Sequence, residues 1–318
     1  MSKKDKCAII GCGNVGATTA YTLMLSGLFT DIVLLDLDHK RAQGEADDIS
    51  HGIPFNSPVN VFAGDYKDIS DAGIAIITAG VSQKPGETRI DLVQRNTKVF
   101  SNIINNIVEV DFKGLILVVT NPVDILTYIT IALSKFPPSK VLGSGTVLDT
   151  ARLKQAMGEK LEVDPRNIHT FVIGEHGDSE LPVWSSANIS GIDISSYCSE
   201  CSKDVNKMHF DKVFEGIRDA AYNIIDAKGA TYYAIAESVK RIVQAIVRDE
   251  HAILPVSTLL NGQYGISNIC MGVPCVIGAR GIEEVLEIPL NENEKKQLLR
   301  SASFLHSTIS HLSMPISV

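Results

Sequence analysis

The chain has 318 residues, 45% of them hydrophobic and 21% charged, with a formal net charge of −8 and a pI of about 5.5. Such a composition belongs to an ordinary globular protein of about two domains, able to bury a core without disulfides or a structural metal. It argues against a nucleic-acid partner, since no run of Lys and Arg is long enough to track phosphates, and against a membrane span, which needs roughly 20 uninterrupted apolar residues.

Lys3, Lys4, Asp5 and Lys6 read as a solvated tail. The apolar Cys7-Ala8-Ile9-Ile10 behind them is broken at once by glycines and Asn14, too early for a secretory signal. A soluble, cytoplasmic protein is therefore the expectation. Lys6–Ile10 predicts a first strand, Asn14–Leu25 a helix and Asp31–Leu35 a second strand. Between strand and helix lies Gly11-Cys12-Gly13-Asn14-Val15-Gly16, the G-x-G-x-x-G pattern in the context that gives it meaning. Gly11 permits the tight turn, Gly13 lets backbone approach a pyrophosphate, and Gly16 lets the helix pack closely on the strand. The helix N-terminus then offers unpaired N–H groups to phosphate. Asp36 ends the second strand twenty residues after Gly16, where a carboxylate accepts from the adenosine ribose hydroxyls and repels a 2′-phosphate. NAD is expected over NADP.

Further along, Ile74–Thr78 and Leu115–Thr120 are β-branched runs ended by turn residues, and Val141–Leu142 lies in another apolar stretch. Apolar runs alternating with amphipathic segments predict an α/β protein with a Rossmann-type, doubly wound parallel sheet whose strand C-termini face one crevice. After Gly143-Ser144-Gly145 longer helical segments take over, including Val213–Ala227 and Ala234–Val247. Two β-rich segments near Ala252–Leu260 and Val273–Ile277 read as antiparallel strands. At the end, Leu298, Ala302, Leu305, Ile309 and Leu312 line one face of a helix, most simply core or subunit interface. The expected domains are 1–145 for the dinucleotide and 146–318, an α+β unit, for the substrate.

The chemistry centres on Gly174-Glu175-His176-Gly177-Asp178-Ser179. Histidine alone among side chains titrates near neutrality without perturbation, and flanking glycines let backbone turn tightly beside a ligand. Taken alone, such a histidine is more often a surface or core residue. Two arginines could grip a carboxylate with a planar fork: Arg152, in Asp149-Thr150-Ala151-Arg152, and Arg89, in Gln83-Lys84-Pro85-Gly86-Glu87-Thr88-Arg89. The second segment is polar and carries Pro-Gly, as a closing loop would. Either arginine could equally make a surface ion pair. Six cysteines are scattered, and Cys198-Ser-Glu-Cys201 has no second pair at zinc-site spacing. Free thiols and no metal are expected.

Together with Thr120-Asn121-Pro122-Val123-Asp124, these motifs resemble, in order and over nearly the whole chain, the lactate/malate dehydrogenase family, and within it bacterial enzymes that reduce pyruvate to L-lactate with NADH at the end of fermentative glycolysis. The resemblance implies that His176 exchanges a proton with the C2 oxygen and that Asp149 orients His176. Glu175 and Asp178 are nearer in sequence, so spacing alone does not choose Asp149. It further implies that Arg152 clamps the substrate carboxylate and that Arg89 closes with its loop to polarise the carbonyl. Gln83, Asn121, Asp124 and Thr231 would line the substrate site, with Ile235 against the nicotinamide. Val15, Arg41, Tyr66, Gly80, Val81, Ser101, Val119, Asn121 and Ser144 would touch the cofactor. Members that reduce oxaloacetate place arginine where this chain has Gln83, so pyruvate is expected. Related bacterial enzymes are often tetramers activated by fructose 1,6-bisphosphate, through positions occupied here by Lys154 and His169. A module that only held NAD would need the glycines and Asp36, but not His176, Arg152 and Arg89 together.

Overall fold

The structure, a computed structural model, describes residues 5–81, 86, 89–200 and 210–311. Six parallel strands form its centre: β1 (Lys6–Ile10), β2 (Asp31–Leu35), β3 (Asn60–Ala63), β4 (Ile74–Ile77), β5 (Leu115–Val118) and β6 (Val141–Gly143). β4 and β5 are buried at every position, because helices cover both faces of such a sheet and leave no polar side to alternate with. Those helices are α1 (Asn14–Ser26), α2 (His39–His51), α3 (Arg89–Glu109) and α4 (Val123–Ser134). α4 is mostly apolar and buried nearly all round, the pattern of a helix inside the molecule.

α5 (Val147–Leu161) follows β6 and leads into short strands: β7 (Ile168–His169), β8 (Val172–Ile173), β9 (Leu181–Pro182), β10 (Asn188–Ile189) and β11 (Ile192–Asp193). Then come α6 (Ile194–Glu200), α7 (Phe210–Lys228) and α8 (Tyr233–Val247). The antiparallel strands β12 (Ala252–Asn261), β13 (Ser267–Gly278) and β14 (Gly281–Val285) precede the last helix, α9 (Glu292–Ser310).

These late strands do not form a sheet of their own. β12 joins the edge of β6 through Ser257 opposite Gly143, giving one nine-stranded sheet in the order β3-β2-β1-β4-β5-β6-β12-β13-β14. The main core follows this sheet across residue 145, whereas Leu153, Met157, Ile168, Val172, Cys198 and Phe214 belong to a second, smaller core. Cys198 is thus a packed thiol, and Cys201 lies outside the described residues. Leu298, Ala302 and Leu305 of α9 are buried within this chain, so that part of the stripe is core; Leu312 lies outside the described residues. No helix among the described residues is long and apolar enough to cross a membrane.

The fold brings three segments together at the carboxyl end of β6. A close approach at Gly145, where a Cβ would lie 2.4 Å from the Ser257 nitrogen, starts α5 against β12. Gly174 exchanges backbone hydrogen bonds of 2.8 and 2.9 Å with Gly272 of β13, anchoring the loop that carries His176.

Candidate active site

Asp149 lies in the first turn of α5, where the helix dipole favours a carboxylate. Its two oxygens have different partners. Oδ2 is 2.6 Å from His176 Nδ1, and Oδ1 accepts from Arg152 Nη1 at 3.0 Å. Arg152 is one helical turn beyond Asp149, so both side chains stand on one face. Pairing Nδ1 with a carboxylate leaves Nε2 as the ring nitrogen able to exchange a proton with a ligand. Burial disfavours the charged imidazole, but Asp149, followed by Glu180 and Asp124, outweighs it and raises His176 to about 9. Burial likewise opposes ionisation of Asp149, and the charges of His176 and Arg152 nevertheless hold its carboxyl below the usual carboxylate range.

Asp124, in the first turn of α4, is buried and holds the loop's backbone. Its Oδ2 accepts the His176 N–H at 2.8 Å, and its Oδ1 accepts from Ser257 Oγ at 2.6 Å. Burial raises Asp124 to about 6 against the lowering effect of these two hydrogen bonds. On the other side of His176 in sequence, Glu175 donates its N–H to Ser301 Oγ of α9 at 2.8 Å, and its carboxylate accepts from both N–H and Oγ of Ser179. The loop that carries the imidazole is therefore anchored to a buried helix, through it to a strand of the main sheet, and to the last helix.

A cavity of about 530 Å³ opens at the carboxyl ends of β1, β2 and β4. Of the expected cofactor residues it is lined by Gly11, Gly13, Asp36, Arg41, Tyr66, Gly80 and Val81. Asp36 accepts the Cys12 N–H at 2.6 Å and the Asp38 N–H at 3.0 Å, which fixes its carboxylate at the rim. The three motif glycines have three different surroundings. A Cβ on Gly11, whose φ is +104°, would meet the Ala79 nitrogen at 2.5 Å, and one on Gly16 would meet the Gly11 oxygen at 1.8 Å. A Cβ on Gly13, the N-cap of α1, would meet no protein atom within 4 Å. The space before that helix N-terminus suits a dinucleotide phosphate, so the residues present fit NAD.

Other expected residues lie outside the cavity lining. Val15 is in α1, Ser101 in α3, Val119 just after β5, Ser144 just after β6, Thr231 just before α8 and Ile235 in its first turn; α8 packs on α1. Gln83 lies outside the described residues, and Arg89 is described only as the first residue of α3. The carbonyl of Asn121 accepts from Asn96 Nδ2 at 3.3 Å, while Asn96 Oδ1 accepts the Val81 N–H at 2.9 Å. Asn96 thus ties two expected cofactor loops together. Lys154 is on α5, partly buried, and burial lowers its ammonium pKa; His169 is exposed on β7.

Residues 5–143 match the NAD binding domain of lactate/malate dehydrogenase, and residues 146–313 match that family's alpha/beta C-terminal domain. The chain belongs to the lactate/malate dehydrogenase family. It is 55% identical over 307 residues to an L-lactate dehydrogenase of Acetivibrio thermocellus, covering 96% of this chain and 97% of that one. It is 49% identical over 313 residues to L-lactate dehydrogenase 1 of Clostridium acetobutylicum, covering 98% and 100%. Among solved structures, the ligand-bound minor L-lactate dehydrogenase of Enterococcus mundtii superposes with a TM-score of 0.94 at 39% identity, covering 98% of this chain and 100% of that one.

Sequence reasoning missed Asn96, Ser257, Ser301 and Glu180. The first three are polar residues whose partners lie 15 or more positions away, with no local motif to mark them. Glu180 follows the histidine motif directly, yet nothing in the spacing says that it folds back beside Asp149.

The glycine geometry predicts that two neighbouring substitutions fail differently. Gly16→Ala should destabilise the fold by about 1–3 kcal/mol through forced overpacking, read by denaturant unfolding. Gly13→Ala should unfold with the wild-type midpoint but bind NADH about tenfold or more weakly, a loss of roughly 1.4 kcal/mol, read by NADH fluorescence titration. Equal destabilisation by both would refute the separation.

Proposed function

We propose that this chain is an NAD-dependent L-lactate dehydrogenase that reduces pyruvate to L-lactate in the cytoplasm at the end of fermentative glycolysis. The observation that carries the reading is Asp149 shared between His176 and Arg152, with Oδ2 2.6 Å from the imidazole and Oδ1 3.0 Å from the guanidinium. An acid and a carboxylate receptor are thereby fixed on one anion. NADH, when bound, supplies the hydride that reaches C2 of pyruvate. Arg152 engages Asp149 through one N–H and keeps its remaining donors for the substrate carboxylate. His176 gives its Nε2 proton to the C2 oxygen, and Asp149 holds the ring in the tautomer that makes this the outward nitrogen. With the imidazole raised to about 9, the protonated form needed for reduction is the one present at neutral pH and is lost as pH climbs through that value. In the oxidative direction the neutral ring takes the proton back.

Arg89, brought in by the closing loop, polarises the carbonyl, and Asn121 and Thr231 border the substrate with Ile235 on the nicotinamide side. Asp124 acts through the backbone of His176, since its carboxylate oxygens are engaged by that N–H and by Ser257. Gln83 decides between keto acids. It is neutral, so a closed loop would leave the second carboxylate of oxaloacetate desolvated and unpaired, at a cost on the order of several kcal/mol. In one assay with NADH, pyruvate should be preferred over oxaloacetate by roughly a thousandfold in kcat/KM. Gln83→Arg should move that ratio sharply toward oxaloacetate. An unchanged ratio would remove Gln83 from this role, and no turnover of pyruvate would refute the reading itself.

The proposed assembly is a homotetramer with a weakened fructose 1,6-bisphosphate site at Lys154 and His169, in which lysine keeps the charge but lacks the bidentate fork of arginine. Pyruvate saturation curves should shift to lower concentration only at millimolar bisphosphate, with sedimentation equilibrium giving four chains. No shift at that concentration would exclude the effector.

A further inference from the structure

Glu180 has a place in this site that the proposed roles leave unused. The Glu180 N–H donates to the Gly177 carbonyl at 3.2 Å, closing a turn that returns the chain from His176 into the β8–β9 hairpin. That turn carries the Glu180 side chain inward, where only 8% of the residue is exposed. One carboxylate oxygen each of Asp149 and Glu180 and a ring nitrogen of His176 lie within 4.8 Å of one another. Asp149 and Glu180 are close enough to share a hydrogen bond, which two ionised carboxylates cannot do. Asp149 is the one that keeps the charge, because it already accepts from Arg152 and pairs with His176. The charged groups facing Glu180 are Asp149 and Arg152 from α5 and His176 from its own loop; Asp124 of α4 acts on His176 as well.

We propose that Glu180 is a positioning residue of the reaction: it shares a proton with Asp149 at neutral pH, releases it as pH rises, and then holds the acid form of His176 further into the alkaline range than Asp149 would alone. The electrostatics give the sign. Burial and the Asp149 charge favour the protonated carboxyl, so around neutrality Glu180 adds no second anion that would oppose binding of a carboxylate substrate. Once ionised, it stabilises the imidazolium, and loss of the His176 proton is spread over a wider pH interval than a single group would show. This inference rests on the reaction proposed above.

The test is Glu180→Gln, which keeps shape and a hydrogen-bond donor but cannot ionise, beside Glu180→Asp, which can. kcat/KM for pyruvate is followed against pH in both. In Glu180→Gln the alkaline midpoint should fall by about one pH unit, with partial return in Glu180→Asp. A midpoint coinciding with wild type, or a loss of activity equal at every pH, overturns the proposal. A second measurement needs no variant. Diethyl pyrocarbonate acylates imidazole only in its neutral form, so the rate at which it modifies His176 of the wild-type enzyme, read by the ultraviolet absorbance of the acylated ring and by protection with a bound substrate analogue, should rise with pH over a broader span than a one-proton curve. A one-proton curve overturns the coupling. An enzyme with no pyruvate activity would instead fail the functional reading and is recognised separately.

Discussion

Between Asp149 Oδ2 and His176 Nδ1 a 2.6 Å hydrogen bond joins a buried carboxylate in the first turn of a helix to a partly buried imidazole on a loop 27 residues further on. Burial alone would strip the imidazole of its proton. The carboxylate reverses that, and it is itself kept ionised by the imidazolium and by Arg152. His176 and Asp149 hold each other in the charged form, and the Arg152 guanidinium adds to the hold on Asp149. An uncompensated charge left in such a place costs several kcal/mol, which is why the site has a fixed geometry and not a mobile set of surface ion pairs. The same carboxylate that meets the imidazole also meets the guanidinium, so the groups proposed as proton donor and carboxylate receptor are held on one anion.

The surrounding fold is arranged to hold that spacing. α4 can lie buried because most of its side chains are apolar and the hydroxyls of Thr127 and Thr130 bond to carbonyls of their own helix, and this puts Asp124 deep enough to accept the His176 backbone N–H. Ser257 reaches Asp124 because β12 extends the parallel sheet beside β6. Gly174 pairs with Gly272, and Ser301 of α9 accepts from Glu175, so the loop is tethered on several sides. The glycine-lined cavity and the anchors of the His176 loop thus share one continuous sheet. Its parallel half presents the cavity lined by Gly11 and Gly13, and its antiparallel half supplies supports for the histidine loop.

How much of this was legible in the sequence depended on range. Parallel strands buried on both faces are continuous apolar runs, and β1 and β2 occupy the residues expected of them. The glycine motif was legible because its spacing between strand and helix is local; the structure then crowds Gly11 against Ala79 and Gly16 against the Gly11 carbonyl, and leaves open space at Gly13. β3 escaped notice, since an edge strand of four residues with an exposed first position carries little periodic signal. The joining of β12 to β6 was also hidden, for it rests on a pairing between residues 143 and 257 that no local pattern encodes. In the site, His176 announced itself through its glycines. Its partner did not: Glu175 and Asp178 are nearer in sequence, and only the packing of α5 against the loop selects Asp149. Glu180 lay hidden for the same reason, because a turn decides whether a glutamate faces water or a buried carboxylate.

The most direct measurement is the pH dependence of oxamate binding to the NADH complex of Asp149→Asn. Oxamate copies the charge and shape of pyruvate without reacting, so its affinity follows the protonated imidazole. With an amide in place of the anion, burial should dominate and the midpoint should drop from about 9 to below the unperturbed histidine value of about 6.5. A midpoint that stayed near its original position would show that the proton is held by something other than Asp149, and the account built on that pairing would be wrong.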